Sequence, residues 1–407
     1  LARLVSSYLA VGNNAQAVKV LGELKGKGGT AKFDSDYGVA SAYISSKDDK
    51  SAEPILVRYV SSNGKDEKAL RALADLYKRT SQNKKAAQTL GQLNGVKASA
   101  ALHKEIGDLL MKEDADAAAL SYEQYLKSNQ KDKEVLEALR QIYEAKGNKA
   151  GLYPVLTKLL AVDTKNGAYW SRKGELDFES KRYAEAAAAY TQVKVLNPSD
   201  ERADYVLGES YYALKQPLKA EGPLSAAVVK RGQDADLQLH YAEVLAANGK
   251  GALAAQSYEK VLSSRADDVA VMDKLIGLYE GLKRNDRLMD LYVKRQRSSG
   301  KQDKDILLKL ASVYLAEKKK TEAIATFEQV LTIDKDDNVA LSSLADLYES
   351  GKDLKKASEK LEKLVELKPD AALNLRLANL YLSTKDSVRA IPPLERYTLL
   401  KKDAVNE

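Results

Sequence analysis

Acidic side chains recur at one position of a repeating pattern in this 407-residue chain, whose formal net charge is +7. Carboxylates of this kind can bind lysine or arginine side chains of a partner. Successive members lie 33 or 34 residues apart, or about a multiple of that distance. This spacing favours a binding surface built from repeated units over a single catalytic pocket. The six acids are Asp75, Asp108, Glu175, Glu209, Glu243 and Asp346.

Residues that could carry other chemistry are few. The chain has two histidines and no cysteine, which excludes structural zinc sites, thiol nucleophiles and disulfides. His103 falls at an apolar position and is interpreted as a packing residue. His240, between Asp236 and Glu243, is a weak candidate metal ligand because no second histidine is near in the sequence. The glycine-rich segment 26–30 lacks the spacing of a phosphate-binding loop and is interpreted as a linker. We therefore predict no catalytic site, no cofactor and no metal.

A period of about 34 residues organises the whole chain, and tyrosine marks it most clearly. Three doubled gaps in the tyrosine series contain Leu110, Asp177 and Leu245 where tyrosines are missing. A fixed period of this length indicates stacked copies of one supersecondary unit. Dividing the length by the period gives almost twelve units, with nothing left for another domain. The tyrosines are Tyr8, Tyr43, Tyr77, Tyr143, Tyr211, Tyr279, Tyr314, Tyr348 and Tyr381.

The residues around each tyrosine predict two antiparallel helices per unit, each of roughly 12–14 residues. A small residue lies three places before the tyrosine and another about nine places after it, as with Ala74 and Ala86. A large residue such as Leu90 follows four places later. Short polar turns separate the two halves, for example Asn248-Gly249-Lys250. Small residues would let the paired backbones approach closely.

This pattern resembles the tetratricopeptide repeat, and the resemblance extends over the whole chain. The sixth unit departs from the family pattern only in having Asp177 in place of tyrosine. The resemblance implies an all-α fold, an α-solenoid in which residues 1–407 form a single array of about twelve helix–turn–helix repeats. It also implies a right-handed superhelix with the first helices lining a concave groove. The family's characteristic places in the sixth unit are filled by Trp170, Gly174, Tyr183, Ala186, Tyr190 and Pro198.

The sequence gives only indirect indications of what lies beyond the two termini and of the cellular compartment. Leu1 is not an initiator residue and falls inside a repeat, so we expect the chain to be a fragment of a longer protein. It contains no apolar run near the ~20 residues that a membrane-spanning helix needs. The absence of cysteine fits both the bacterial cell envelope and the cytoplasm. The localisation therefore stays open, with the envelope slightly favoured.

The resemblance also indicates which residues would face a partner in the groove. Asp75 and Asp108 have basic residues four places away on both sides of their own helix, which predicts local neutralisation. The acids of the middle units lack such neighbours, and we predict that they form an acidic strip with apolar residues between them. The strip would bind a basic peptide, the alternative being an ordinary charged face. The predicted partner-binding residues are Glu137, Glu144, Glu175, Phe178, Glu179, Tyr205, Glu209, Tyr212 and Glu243.

Other modes of binding are less favoured. The family's carboxylate clamp uses lysine and asparagine four residues apart, whereas the equivalent pairs here are Arg71/Asp75 and Lys104/Asp108. We therefore predict no clamp for a peptide's C-terminal carboxylate. Basic segments at 294–301, 318–320 and 355–356 could bind nucleic acid or anionic lipid. Nucleic acid is nevertheless disfavoured, because a net charge of +7 is modest for 407 residues.

We therefore predict that the protein is a non-catalytic scaffold or adaptor that binds a protein or peptide. Binding to another copy of the same chain also fits the sequence. Two alternatives remain at this point. One is a substrate-recruiting arm of a larger enzyme, since repeats of this family precede glycosyltransferase domains in some proteins. The other is an architectural component of a bacterial envelope or secretion assembly.

Overall fold

Helices form all the regular structure of the described residues, which are 1–34 and 36–406 in the computed structural model. This part contains 24 α-helices, one short 3₁₀-helix at Ala31–Phe33 and no strand. The chain divides into two compact units, unit 1 (Leu1–Pro198) and unit 2 (Ser199–Glu407).

Unit 1 is a stack of helix pairs in which each helix packs against the next one in the chain. Odd-numbered helices are the first helices of the predicted repeats, and even-numbered helices are the second helices. The helices are α1 Ala2–Ala10, α2 Asn14–Lys25, α3 Tyr37–Ser45, α4 Asp49–Ser62, α5 Glu67–Arg79, α6 Asn83–Val96, α7 Ala100–Leu110, α8 Ala115–Leu126, α9 Lys133–Ala145, α10 Lys149–Val162, α11 Gly167–Glu179 and α12 Tyr183–Leu196. The segment 26–30 follows the end of α2, as the linker interpretation requires.

Unit 2 has the same organisation, with each helix packed against its chain neighbours. The all-α, solenoid-type arrangement predicted from the period is therefore confirmed within each unit. The helices are α13 Glu201–Ala213, α14 Pro217–Lys230, α15 Ala235–Ala247, α16 Gly251–Ser264, α17 Val269–Gly281, α18 Asn285–Ser298, α19 Lys304–Ala316, α20 Lys320–Ile333, α21 Asn338–Ser350, α22 Leu354–Leu367, α23 Ala371–Ser383 and α24 Ser387–Asn406.

Aspartates define where the first helices of unit 2 begin. The carboxylate of Asp200, for example, accepts a hydrogen bond of 2.8 Å from the amide of Ala203. Such a cap satisfies an amide at the helix N-terminus that has no partner within the helix, which typically contributes about 1 kcal/mol. The capping residues are Asp200, Asp234, Asp268, Asp303, Asp337 and Asp370.

The small residues bring paired helices together as the sequence predicted. At Gly107 a β-carbon would lie 2.5 Å from the ring of Tyr122, and at Gly174 it would lie 2.7 Å from the ring of Tyr190. Both aromatic residues come from the second helix of the same repeat. Interiors are packed at crystal-like density, so only glycine fits at these two points of contact.

The periodic tyrosines connect successive repeats through hydrogen bonds. The hydroxyl of Tyr279 donates to Glu259 at 2.6 Å, and that of Tyr348 donates to Glu328 at 3.0 Å. In each case the acceptor lies 20 residues earlier, on the second helix of the preceding repeat. Burial and the neighbouring Glu259 raise the pKa of Tyr279 to about 12. The tyrosine therefore stays protonated and fills the space between repeats with an apolar ring that has a satisfied polar end.

Eleven of the twelve described turns between first and second helices contain a residue in the left-handed backbone region, the exception being the turn between α7 and α8. Glycine occupies this place at Gly12, Gly147 and Gly249, in the turns that the sequence predicted. In other repeats a non-glycine residue takes the same conformation, and all but one of these are lysine. They are Lys47, Ser81, Lys181, Lys215, Lys283, Lys318, Lys352 and Lys385.

Candidate functional site

In unit 1, the predicted acids of α9 and α11 belong to one network with two arginines. Arg140 donates to Glu137 at 2.7 Å and to Glu144 at 2.5 Å. Arg172, on the next first helix, lies 3.3 Å from Glu144 and 2.8 Å from Glu175. These carboxylates are held in position by charge-assisted hydrogen bonds, which are stronger than neutral ones.

A buried tyrosine extends this network. The hydroxyl of Tyr169 donates to Glu137. Burial raises the pKa of Glu137, but the hydrogen bonds from Tyr169 and Arg140 outweigh that effect and keep it below its ordinary value. Burial and Glu137 together raise the pKa of Tyr169 to about 12. Glu137 is therefore a fixed carboxylate at neutral pH.

The remaining predicted residues of unit 1 lie at the end of α11. Glu179 forms an ion pair of 2.9 Å with Lys149, and 46% of its side chain is exposed. The ring of Phe178 packs edge-on against Tyr183 with 5.8 Å between centroids, and Phe178 is half-buried. We call Glu137, Glu144, Glu175, Phe178 and Glu179 the unit 1 face.

In unit 2, four polar residues surround Tyr212. Its hydroxyl donates to Glu243, which also accepts from Lys274 on α17. His240 stacks on the Tyr212 ring at 4.1 Å between centroids, and its Nδ1 lies 2.9 Å from Glu209. Burial raises the pKa of Glu243, but hydrogen bonds from Lys274 and Tyr212 hold it below its ordinary value.

Tyr205 completes the predicted residues of unit 2. The guanidinium of Arg231 lies over its ring at 4.2 Å from the centroid, within the range of a cation–π interaction. We call Tyr205, Glu209, Tyr212 and Glu243 the unit 2 face. The four residues come from two neighbouring first helices, α13 and α15.

The prediction that the middle acids lack basic partners is wrong. In unit 1 most of these partners lie on the same helix, as with Arg140 for Glu137 and Glu144. In unit 2 they lie on the next first helix, 31 residues away, as with Lys274 for Glu243 and His240 for Glu209. The pairs made by Arg140, and the pair of Arg172 with Glu175, fall within a search at spacings of three and four residues. The pairs of Glu243 with Lys274 and of Glu209 with His240 span 31 residues and require a search one repeat ahead. Arg140 and Lys274 are the basic partners that the prediction did not include.

The predicted neutralisation of Asp108 is also wrong in detail. Lys104 lies 3.2 Å from Asp132 and 2.6 Å from Glu134 on α9, while Asp108 accepts a hydrogen bond of 2.8 Å from Tyr122. Asp75 does pair with Arg71, at 3.2 Å. Arg79, the second predicted partner of Asp75, lies on the C-terminal side of the same helix and pairs instead with Asp49.

A recess of about 600 Å³ lies between α3, α5, α6 and α7 of unit 1, and none of its lining residues belongs to the unit 1 face. Tyr37, Ala72, Leu93 and Leu102 contribute apolar lining, and Arg71 lies at its charged side. Arg71 is fixed by a double hydrogen bond to Glu105, at 2.6 and 3.1 Å. A recess of this size could accept one apolar side chain of a partner.

Neither histidine forms part of a metal site in the described residues, which contain no group of three or more potential ligands close enough to hold a metal ion. His103 is half-buried, and its Nε2 lies 3.2 Å from the side-chain amide of Asn94. Across residues 1–34 and 36–406, no helix is both long and apolar enough to cross a bilayer.

The protonation of His240 predicts a specific pH dependence. The hydrogen bond to Glu209 raises the pKa of His240 above its ordinary 6.5, against the opposing effect of burial, with Glu243 and Asp236 adding to the rise. Its contribution to stability is fully present below pH 6.5 and is lost as the pH rises through the folded-state pKa. We therefore expect the thermal midpoint of the wild-type chain to fall between about pH 6 and about pH 9.

The matched measurement uses His240→Gln in the same buffers, followed by circular dichroism. The other charged groups around His240 are carboxylates and Lys274, and both chains contain all of them. The variant should therefore show a smaller fall than the wild type. Equal falls in both chains would contradict the assignment.

Two family models match segments of the chain, one reaching from the end of unit 1 into unit 2 and the other within unit 2. One described as tetratricopeptide repeat matches residues 171–235 and 205–269. A second with the same description matches residues 305–337 and 340–370. The chain contains tetratricopeptide repeats within residues 171–269 and 305–370. Repeats of this family form extended surfaces for protein partners, so its general role is that of a protein-interaction scaffold.

Several solved structures are similar to this chain at low sequence identity. A MamA protein is 19% identical, with a TM-score of 0.34 over 41% of this chain and 92% of its own. A structure of Naa15/Naa10 bound to HypK-THB is 14% identical, with a TM-score of 0.37. The match covers 97% of this chain and 67% of that one. A tetratricopeptide repeat protein from Parabacteroides merdae is 19% identical, with a TM-score of 0.30. The match covers 61% of this chain and 98% of that one. No curated protein matches the sequence. These likenesses do not identify a partner.

Proposed function

We propose that residues 1–407 form a single tetratricopeptide repeat array that acts as a non-catalytic scaffold for a protein partner. The partner would present a segment carrying lysine or arginine to the unit 1 face and the unit 2 face. The observation that supports this proposal best is the arrangement of the carboxylates. They are fixed by intramolecular partners, yet they remain partly accessible, with 31% of the Glu144 side chain and 25% of the Glu243 side chain exposed.

Fixed carboxylates favour binding because little conformational freedom is lost when a partner arrives. A carboxylate has about four lone-pair sites, so Glu144 and Glu243 can accept from a partner's lysine while retaining an intramolecular bond. Partly exposed ion pairs contribute about 0.2–1 kcal/mol each. Useful affinity therefore requires several such contacts along the array, and it should weaken as salt increases.

Aromatic side chains beside the acids supply the apolar part of the proposed contact. Phe178 is half-buried in unit 1, and Tyr205 and Tyr212 are half-buried in unit 2. Amphipathic rings that are already packed contribute contact area at low entropic cost. A basic segment with interspersed apolar residues fits both faces better than a purely basic one.

The test is a binding measurement with two labelled peptides, one containing lysine and leucine and the other with glutamate replacing lysine. Fluorescence anisotropy would compare the full chain with a variant carrying Glu175→Lys, Glu209→Lys and Glu243→Lys. We expect the wild type to prefer the lysine peptide and the variant to bind it at least about tenfold more weakly. Circular dichroism would first show that both chains are equally helical.

The matched control reverses three exposed acids on second helices, with Glu185→Lys, Glu359→Lys and Glu366→Lys. It changes the net charge by the same amount but leaves both faces intact. If the control loses as much affinity as the face variant, the effect is one of total charge and the proposed faces are wrong. A wild-type preference for the glutamate peptide would contradict the proposal directly.

A further inference from the structure

The turns between first and second helices of unit 2 carry most of the excess positive charge of the protein. Each turn can be taken as a seven-residue window with its left-handed residue in third place. Together the six windows contain fourteen lysines and arginines against five aspartates and glutamates, a net charge of +9, whereas the whole chain has +7. The windows, here called the turn edge, are 213–219, 247–253, 281–287, 316–322, 350–356 and 383–389.

Successive windows of the turn edge lie next to each other along the stack. The side-chain amide of Asn248 donates to the carbonyl of Pro217 at 3.1 Å and to Glu221 at 2.8 Å. Lys250 forms an ion pair of 2.5 Å with the same glutamate. The turn at 247–253 therefore contacts the preceding one directly. Repeats in constant register bring each following turn to the equivalent place.

Lysine takes the left-handed position in five of these six turns. The φ angles of Lys215, Lys283, Lys318, Lys352 and Lys385 lie between 53° and 64°. A side chain with a β-carbon is strained in this region by roughly 1–2 kcal/mol, and glycine or asparagine would avoid most of that cost. Gly249 shows that glycine serves the turn equally well. The backbone alone therefore does not account for lysine at this place.

These five lysines are exposed and form no ion pair within the described residues. Other bases of the turns do pair with acids at or beside an adjacent turn, in unit 1 as well as at Lys250. Arg79 lies 2.7 Å from Asp49, and Lys146 lies 2.5 Å from Asp116. Pairing between turns is thus possible in this fold, yet these five lysines of the turn edge form no such pair.

Aliphatic side chains project into solvent among the same lysines. Leu218 is 84% exposed and Val388 is 78% exposed, with Leu253 and Leu282 at 48% and 42%. The six windows contain no aromatic residue on which a nucleic acid base could stack. Lysines mixed with exposed aliphatic residues suit the interface of an anionic bilayer, where apolar side chains enter and ammonium groups stay with the phosphates.

We infer that the turn edge of unit 2 binds the surface of a bilayer containing anionic phospholipid. The bound protein would lie peripherally, with Lys215, Lys283, Lys318, Lys352 and Lys385 against lipid phosphates and Leu218 and Val388 in the interfacial region. This surface is distinct from the unit 1 and unit 2 faces, which lie on first helices. A scaffold could therefore hold its protein partner and a membrane at the same time.

The experiment is flotation of the full chain with vesicles of phosphatidylcholine, alone or mixed with phosphatidylglycerol in equal parts. The test variant carries Lys283→Asn, Lys318→Asn, Lys352→Asn and Lys385→Asn. Asparagine tolerates the left-handed region, so the variant should fold at least as well as the wild type. We expect the wild type to float only with anionic vesicles, and the variant's partition coefficient to fall by about tenfold or more.

Two further variants separate the possible origins of binding. The charge control removes four lysines elsewhere in unit 2, with Lys260→Gln, Lys301→Asn, Lys335→Asn and Lys368→Asn, and it should keep most of the binding. Leu218→Ser with Val388→Ser should weaken binding to vesicles while leaving binding to duplex DNA unchanged. The inference is overturned if the wild type does not float with anionic vesicles or if the charge control loses as much as the test variant. Tighter binding to DNA than to vesicles, unaffected by the aliphatic substitutions, would also overturn it in favour of nucleic acid.

Discussion

Replacing Asp177 with alanine is expected to lower the free energy of unfolding by about 3–5 kcal/mol. Asp177 is fully buried on α11, where its carboxylate accepts from Lys173 at 3.1 Å and from Arg182 at 2.8 Å. Lys173, with only 16% of its side chain exposed, also donates to the hydroxyl of Tyr153 at 2.8 Å. Removing the acid leaves a largely buried ammonium group without its counter-charge, which is costly at low dielectric.

The measurement is the shift in urea or thermal midpoint by circular dichroism, with Asp346→Ala as the matched control. Asp346 also pairs with an arginine, Arg376, at 2.6 Å, but 61% of its side chain is exposed. A pair of that kind contributes no more than about 1 kcal/mol. Similar midpoint shifts for the two variants would contradict the claim that burial makes the Asp177 ion pairs more important for stability than the exposed Asp346 pair.

A second substitution at the same position makes the prediction sharper. Asp177→Tyr restores the residue that most repeats have, and sequence pattern alone would expect it to stabilise the protein. The structure predicts destabilisation instead, because Lys173 and Arg182 would lose their shared acceptor. A rise in the midpoint would show that the ionic cluster contributes little.

Gly208→Ala is expected to destabilise unit 2 by about 1–3 kcal/mol, although alanine is the better helix former. A β-carbon there would lie 2.7 Å from Leu224 Cδ2 and 3.0 Å from the Leu224 backbone nitrogen. The side chain can move, but the backbone of α14 cannot do so without separating the two helices. The midpoint of urea unfolding should therefore fall.

Gly277→Ala provides the opposite expectation within the same unit. Gly277 lies on α17, and nothing would lie within 4 Å of a β-carbon at that position. Alanine should raise the midpoint by the equivalent of about 0.5–1 kcal/mol, because it restricts the unfolded chain and favours the helix. Destabilisation by both substitutions would mean that helix contact does not decide the effect at Gly208.

The helix pairs could be predicted from the sequence because their signals are local or strictly periodic. The small residues, the tyrosines and the polar turns repeat in register, and the structure confirms helices and turns at those places. The period did not show where acidic side chains find partners. Glu243 bonds to Tyr212 and Lys274, each 31 residues away on a neighbouring first helix.

Asp177 also shows that the sequence predicts local structure but not the contacts between repeats. The sequence showed only that an acid stands where a tyrosine was expected. Its partner Arg182 lies in the following turn, and the ring of Tyr153 beneath Arg182 and Lys173 comes from the preceding second helix. Burial of the whole group depends on how three helices pack.

The sequence by itself therefore determined the repeating helix pair, its close contacts and its turns, because helix periodicity and residue size act between near neighbours. The tertiary structure alone decided which charges are compensated. It pairs first-helix acids such as Glu243 with bases from adjacent repeats, and it leaves the five left-handed lysines of the unit 2 turns exposed without acidic partners. Charge compensation depends on distances between side chains of different repeats, and those distances are set only when the helices stack.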